Sequence, residues 1–400
     1  MENFILISPQ FPHTYWQFAY ALKKRGVNVL GIGNAPYHEL SQELKTSLTE
    51  YYYCPDMDNY QSLYKAVAFF AFKYGKIDYL ESNNEYWLMK DALLRTDFHI
   101  TTGLQASDMD ALKRKSGMKA FFKKAKIKCA PYKVVRTFED TLDFVATYGY
   151  PLFIKPDIGV GANDTARIDG EETLKRFFDT HLIDDYIIEP FIQGTIVSFD
   201  GVCDEHSQIV FATSHVFPCP NDVIVNDHTD DWYYTLPSVP EDIAKVGPKV
   251  IEAFNIKKRI FHLEFFRLSV DHPGIGKAGT LVGLEINMRP PGGYTPDMIN
   301  FANSINLYEV WAEVVLKKPI TENFNREKYY VMETSRRDRH AGSYVHTAEE
   351  ILTEFKPSLM MYGRYPAVLA SGLGDIYFVG RFINLEDALK FKDFVLEKLQ

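Results

Sequence analysis

The first 110 residues alternate short apolar runs with longer amphipathic stretches. Phe4 to Ser8 reads as a buried strand, Tyr15 to Arg25 as a helix closed by Gly26, and Asn28 to Gly33 as a second strand. The alternation returns in the helical pattern Tyr60 to Tyr74 and the strand Tyr79 to Glu81, which predicts a doubly wound α/β unit with a parallel sheet. A basic amphipathic helix is predicted from Asp108 to Ala125. After it come a strand Tyr132 to Val135, a helix Thr137 to Tyr148, a strand Leu152 to Ile154, a helix Glu171 to Phe178 and a strand Tyr186 to Glu189, which together make a small α+β unit. Further strands are expected at Ile196 to Val202 and Gln208 to Val216, then a polar loop Pro218 to Thr235 and a helix Pro240 to Phe254. The strands Phe261 to Val270 and Thr280 to Met288 follow, joined by the turn-rich Asp271 to Gly279. The last seventy residues predict strands near Tyr329 to Thr334 and Asp375 to Phe382 and a helix Leu385 to Leu399, and the chain shows no internal repeat.

Composition narrows the class. A chain of 400 residues, 46% hydrophobic and 24% charged, is long enough for two to four packed units. A net charge of −9 without a long Lys/Arg block points away from nucleic acid and from anionic membranes as the main partner. The four cysteines, Cys54, Cys129, Cys203 and Cys219, form no C-x-x-C pair, so they predict neither a zinc site nor a disulfide framework. The N-terminus lacks the pattern of a signal peptide, and no apolar run approaches the ~20 residues of a membrane span. The expected compartment is the cytoplasm. No G-x-G-x-x-G follows the first strand, where Ser8-Pro9-Gln10 stands, so a nicotinamide or flavin site of that kind is not expected.

The densest chemistry lies in His262-Leu263-Glu264-Phe265-Phe266 and Glu285-Ile286-Asn287-Met288-Arg289. Strand side chains alternate, so His262 and Glu264 share one face, and Glu285, Asn287 and Arg289 share one face of the partner. If the two faces coincide, two carboxylates and an amide oxygen suit Mg²⁺ held jointly with phosphates, and Arg289 offers a fork of donors to phosphate oxygen. A solvated hairpin with ordinary surface charges carries the same residue types. Lys155 ends an apolar strand and is followed by Gly159 and Gly161; alone it reads as a surface charge, but the glycines free the backbone to curl N–H groups around an anion. Ile187 to Gly194 ends a strand in Glu189 and a proline bend. That is either a plain connection or an adenine site, in which Glu189 or a carbonyl accepts from the amine and the Ile192 N–H donates to the ring.

In this order the pieces resemble the ATP-grasp superfamily, of the carboxylate–amine ligase type, over roughly residues 1 to 310. The resemblance implies an N-terminal doubly wound parallel-sheet domain (1–112) followed by a two-lobed fold with antiparallel sheets. Those lobes would be a lid (113–186) and a large subdomain with the metal site (187–325), with an α+β subdomain at 326–400. It implies ATP and Mg²⁺, with Mn²⁺ as an alternative ion, small-molecule carboxylate and amine substrates, and room for a homodimer. Lys115, in Lys115-Ser116-Gly117-Met118-Lys119, matches the family's first nucleotide lysine and Lys155 the lid lysine on the phosphates. Gly159 and Gly161 match the phosphate loop, and Glu189, Phe191 and Ile192 the adenine hinge. Glu264, Glu285 and Asn287 match the metal ligands, and Arg289 matches the arginine facing the transferred phosphoryl group. Pro290-Pro291-Gly292-Gly293 resembles the Gly-rich turn beside the acceptor carboxylate.

Two positions depart from the pattern. Ile196 stands where many relatives carry a ribose-binding glutamate, and Arg114 precedes Lys115 where an acidic residue is usual, which leaves Lys113 and Arg114 as substitutes. The expected activity is ATP-dependent joining of a carboxylate to an amine. A nucleotide-binding regulatory protein without turnover and a kinase of a non-carboxylate acceptor are the alternatives. Asn83, Asn84 and Glu85 are candidate substrate contacts at the carboxyl end of a first-domain strand. Arg336, Arg337, Arg339 and His340 form either a cationic cover over an acceptor or a solvated loop.

Overall fold

The computed structural model describes residues 1–159, 164–181, 185–219 and 229–399. Gly161 and most of the acidic loop Asp222 to Asp231 lie outside these residues.

Continuous apolar runs make the central strands of the first sheet, as expected of strands buried on both faces. Strands β1 (Asn3–Ile7), β2 (Asn28–Gly33), β3 (Glu50–Tyr53) and β4 (Tyr79–Glu81) pair in parallel in the order β3-β2-β1-β4. The second sheet is antiparallel: β5 (Lys133–Val135), β6 (Leu152–Pro156), β7 (Ala166–Ile168) and β8 (Tyr186–Pro190), in the order β5-β8-β6-β7.

The third sheet has nine strands among the described residues. They are β9 (Gly194–Cys203), β10 (Ile209–Thr213), β11 (His215–Phe217), β12 (Asp231–Thr235), β13 (Arg259–Leu268), β14 (Leu281–Asn287), β15 (Tyr330–Arg336), β16 (Leu359–Arg364) and β17 (Ile376–Phe382). Its order is β14-β13-β9-β11-β12-β15-β17-β16, with β10 on β9. β15 to β17 therefore continue the large sheet through β12.

Three expectations are corrected. The basic helix is two helices, Ala106–Lys113 and Lys115–Lys124, because Arg114 is extended (φ −81°, ψ 122°) and its guanidinium bonds Asp110, Asp157 and Asp185. Gly117 permits the corner: a Cβ there would stand 2.8 Å from the Ala111 carbonyl oxygen. Residues 231–235 are a strand rather than loop. Its polar Asp231, Tyr233 and Thr235 alternate with Trp232 and Tyr234, which pack on the opposite apolar cluster. The expected Gln208 to Val216 strand is divided at Ser214.

The parallel sheet docks on the large sheet through the helix Leu307–Val315, whose Tyr308 and Trp311 meet Phe18 at ring-centroid distances of 4.7 and 4.8 Å. Trp311 is 1% exposed, and truncating it to Ala would cost about 3–5 kcal/mol. Buried Arg259 closes the seam nearer the site: its guanidinium donates to Glu81 at the end of β4 (2.6 Å) and to the Met288 carbonyl just past β14 (2.8 Å). Among the described residues no helix is long and apolar enough to cross a membrane.

Candidate functional site

Strand pairing decides whether the two acidic faces coincide, and they do. β13 and β14 run antiparallel with His262 opposite Asn287 and Glu264 opposite Glu285, so all four side chains share one face. Burial and the neighbouring Glu264 and Glu85 push the Glu285 carboxyl above its ordinary range, against the pull of Lys115 and Arg289. Lys115, Glu85 from the loop after β4 and Arg289 thus all act on one carboxylate of this face. Among the described residues no group of three or more His, Cys, Asp or Glu stands ready for a metal. Two opposed carboxylates and an amide suit an ion that completes its shell with phosphate and water.

Behind Glu264 lies a polar row that the sequence reading missed. β9 sets Ser198 opposite Glu264 and Asp200 opposite His262. His262 Nδ1 pairs with Asp200 and its Nε2 lies 3.0 Å from Glu264 Oε1, while His215 Nδ1 lies 2.6 Å from Asp200 Oδ2. Burial disfavours the imidazolium of His262, but Asp200 and Glu264 outweigh it and raise its pKa to about 10. Asp200 is itself held well below the ordinary range: its two histidines outweigh burial. The signal available in sequence was the polar pair Ser198 and Asp200 alternating inside an apolar strand.

In the small antiparallel sheet, Phe153 faces Glu189 across β6 and β8, which puts Lys155 diagonally beside Glu189; β8 thus belongs to this sheet, past the expected boundary at 186. Lys155 Nζ lies 2.7 Å from Glu189 Oε2, and Lys119 from the second helix pairs with Oε1. All three are buried. Burial raises the Glu189 pKa, but the two lysines overcome it and hold it at about 2; burial likewise lowers that of Lys155. The Glu189 carboxylate is thus the counter-ion of two lysines here. Lys119 was not singled out in the sequence, because its direction depends on the break at Arg114.

Lys115 is buried and reaches the Gly159 carbonyl (3.3 Å). Asp157 sets its helix start by accepting from the Ser116 N–H (2.8 Å) and hydroxyl (2.7 Å). Phe191 leads out of β8 with its N–H on the Pro151 carbonyl (3.0 Å) and the Arg167 guanidinium 4.4 Å over its ring. Ile192 packs with Leu268, Ile275, Val282 and Phe266. Ile196 is buried in β9 between Phe217 and Phe266 as an apolar position.

Beyond β14, Arg289 Nε donates to Glu85 Oε2 (3.1 Å) and Lys113 Nζ lies 3.0 Å from Glu85 Oε1. The Gly-rich turn then enters the helix Thr295–Asn303. Gly293 takes φ +62°, a left-handed conformation that favours glycine. Thr295 Oγ1 donates to the Gly292 carbonyl (2.7 Å) and contacts Tyr233 Oη (2.9 Å), which is 2.7 Å from Glu333 Oε2. The Glu333 carboxylate accepts from the Tyr233 and Tyr365 hydroxyls. Burial raises its pKa to about 7, although the Tyr365 and Tyr233 hydroxyls pull the other way.

Arg336 and Arg337, read from the sequence as part of either a cationic cover or a solvated loop, are both buried and go separate ways. Arg336 turns to the other side of β15, donating to the Val395 and His346 carbonyls, while Arg337 bonds the Thr229 and Ser371 carbonyls.

No protein-family model matches the chain, and no curated protein matches it by sequence. Solved structures match it along its length. An L-amino acid ligase from Bacillus licheniformis aligns at TM-score 0.70 and 13% identity, over 100% of this chain and 98% of the ligase. An N5-carboxyaminoimidazole synthetase from Staphylococcus aureus aligns at 0.70 and 15%, over 98% and 96%. The biotin carboxylase domain of the Hydrogenobacter thermophilus 2-oxoglutarate carboxylase, solved with MgADP, ADP and bicarbonate, aligns at 0.71 and 14%, over 97% and 88%. The chain has the ATP-grasp fold: a parallel-sheet unit, a small antiparallel sheet and a large antiparallel sheet.

Proposed function

We propose that this protein is an ATP- and Mg²⁺-dependent ligase that activates a carboxylate as an acyl phosphate and couples it to an amine, releasing ADP and phosphate. The observation that carries the reading is the opposition of Glu264 to Glu285 and His262 to Asn287 on one face, with Lys115 and Arg289 acting on Glu285. The solved neighbours include structures with ADP and MgADP bound, which accords with a nucleotide in this fold.

In this reading Lys155, Lys115 and the backbone from Gly159 through Gly161 neutralise and cover the phosphates. Phe191 and Ile192 border the adenine, and the Ile192 N–H, which has no protein acceptor among the described residues, donates to the ring. Glu189 holds Lys155 and Lys119 in place until the nucleotide arrives. Glu264, Glu285 and Asn287 would hold Mg²⁺, which when bound neutralises the β- and γ-phosphate charge.

A substrate carboxylate oxygen attacks the γ-phosphorus and the bond to the ADP oxygen breaks. The amine nitrogen then attacks the acyl carbon, phosphate departs with the bonding pair, and the nitrogen loses its proton to phosphate or water. Arg289 stabilises the charge on the phosphoryl oxygens and then on the tetrahedral adduct.

The test uses a carboxylate labelled with ¹⁸O. Acid- and amine-dependent ADP release with one ¹⁸O carried into phosphate is the expected result. Nucleotide binding without turnover over broad pools of acids and amines, or phosphate free of label, would overturn the ligase reading.

A further inference from the structure

The parallel sheet changes direction at β1. β2 and β3 lie to one side of it and β4 to the other, so the crevice outside the carboxyl ends of β1 and β4 is the switch point where α/β sheets take ligands. The loops that border it, Ser8 to Tyr15 and Ser82 to Glu85, carry two left-handed non-glycine residues, Ser8 (φ 53°) and Asn83 (φ 56°). Strain of that kind gathers at ligand clamps. Asn83 is 5% exposed and its amide nitrogen has no acceptor, while its carbonyl accepts from Tyr15 Oη (3.3 Å). The large sheet lays Arg289 against this crevice, 3.1 Å from Glu85. The void bordered by Glu85, Leu88, Leu104, Met109 and Leu112 is about 10 Å³, too small for a ligand, while the Arg289 and Glu85 side chains keep 14% and 15% of their surface exposed.

A carboxylate and a guanidinium side by side, each the other's partner, match a zwitterion whose ammonium and carboxylate sit on one carbon. We infer that the carboxylate substrate is an α-amino acid, its carboxylate taken by Arg289 and its ammonium by Glu85. The inference rests on the ligase reading above. Insertion of the amino acid exchanges one ion pair for two, so neither buried charge loses a partner, and Lys113 keeps Glu85 aimed at the crevice (3.0 Å). The Asn83 amide supplies a further donor to the substrate carboxylate. The consequence is directional: an ammonium paired with Glu85 is not the nucleophile, so a second molecule supplies the amine and the product keeps a free α-amino group beside its new amide bond.

The experiment offers the intact enzyme each common amino acid, its N-acetyl derivative and the carboxylic acid lacking the amino group, with Mg²⁺, ATP and a pool of amines. ADP release and the thermal shift of the protein with each acid alone are both read. At least one amino acid should exceed its two analogues by about tenfold or more in kcat/KM and in stabilisation. Glu85→Gln should lose about 10- to 100-fold in kcat/KM for that amino acid and discriminate poorly, with ATP affinity kept and Glu85→Asp intermediate. Equal or better use of the acids without an amino group overturns the inference and leaves the ligase reading standing. Unchanged discrimination in a folded Glu85→Gln enzyme removes Glu85 from substrate recognition. Absence of turnover with every acid removes the ligase reading and the inference with it. The comparison of amino acid with analogue in the unaltered enzyme holds whether or not the variants fold.

Discussion

The small antiparallel unit, proposed as the lid, and the large sheet carry opposite imbalances of buried charge. On the lid, Lys115, Lys119 and Lys155 stand against Glu189. On the sheet, Glu264, Glu285 and Asp200 stand against the His262 imidazolium. Neither imbalance is comfortable in a low-dielectric interior, and each side relieves its own in part through ion pairs. The difference teaches what would fill the gap between them: a polyanion on the lid side and a cation on the sheet side, which is the charge pattern of a metal-bound triphosphate.

The change with the largest expected effect is on the sheet. Glu285→Gln keeps the shape and removes one of the proposed metal carboxylates, so turnover should fall by about 10³-fold with nucleotide affinity largely retained, measured by ADP release and by calorimetric titration of ATP. On the lid, Lys155→Met should act through binding instead. ATP affinity should drop by about 10- to 100-fold, and Lys119 still satisfies Glu189; an unchanged affinity would take Lys155 off the phosphates.

A smaller effect is expected one layer back. Asp200→Asn leaves His262 without its charged anchor, so the Mg²⁺ concentration for half-maximal activity should rise by about tenfold while ATP affinity without metal stays unchanged. The smallest effect reads the Gly-rich turn. The Glu333 carboxyl has its pKa raised from 4.5 to about 7 on folding, so the native state binds the extra proton. Its contribution to stability is full below pH 4.5 and is lost as pH rises through 7. Glu333→Gln should remove about 2–4 °C from the fall in Tm between pH 5 and pH 8.

How much of this the sequence disclosed follows from which distances along the chain matter. The face of Glu264, Glu285 and Asn287 was legible because strand alternation is local and the two strands are neighbours joined by a turn. Lys155 stood out as a candidate because glycine follows it, but its pairing with Glu189 depends on β6 meeting β8. Asp200 and His215 were not, since Asp200 meets His262 only through β9 pairing with β13, 62 residues apart in the chain, and His215 joins through Asp200. The helix Leu307–Val315 escaped because it is buried almost all round, so no polar face marks its period. β12 escaped because its polar residues face inward toward the Gly-rich turn and Glu333, the reverse of a surface strand.

The most direct measurement of the charge complementarity is calorimetric titration of ATP with and without Mg²⁺ into the intact protein and into a Glu264→Gln, Glu285→Gln double variant. The intact protein should bind ATP at least about tenfold more tightly with Mg²⁺. The double variant should lose that gain and keep its metal-free affinity. An equal Mg²⁺ gain in both proteins would contradict the account.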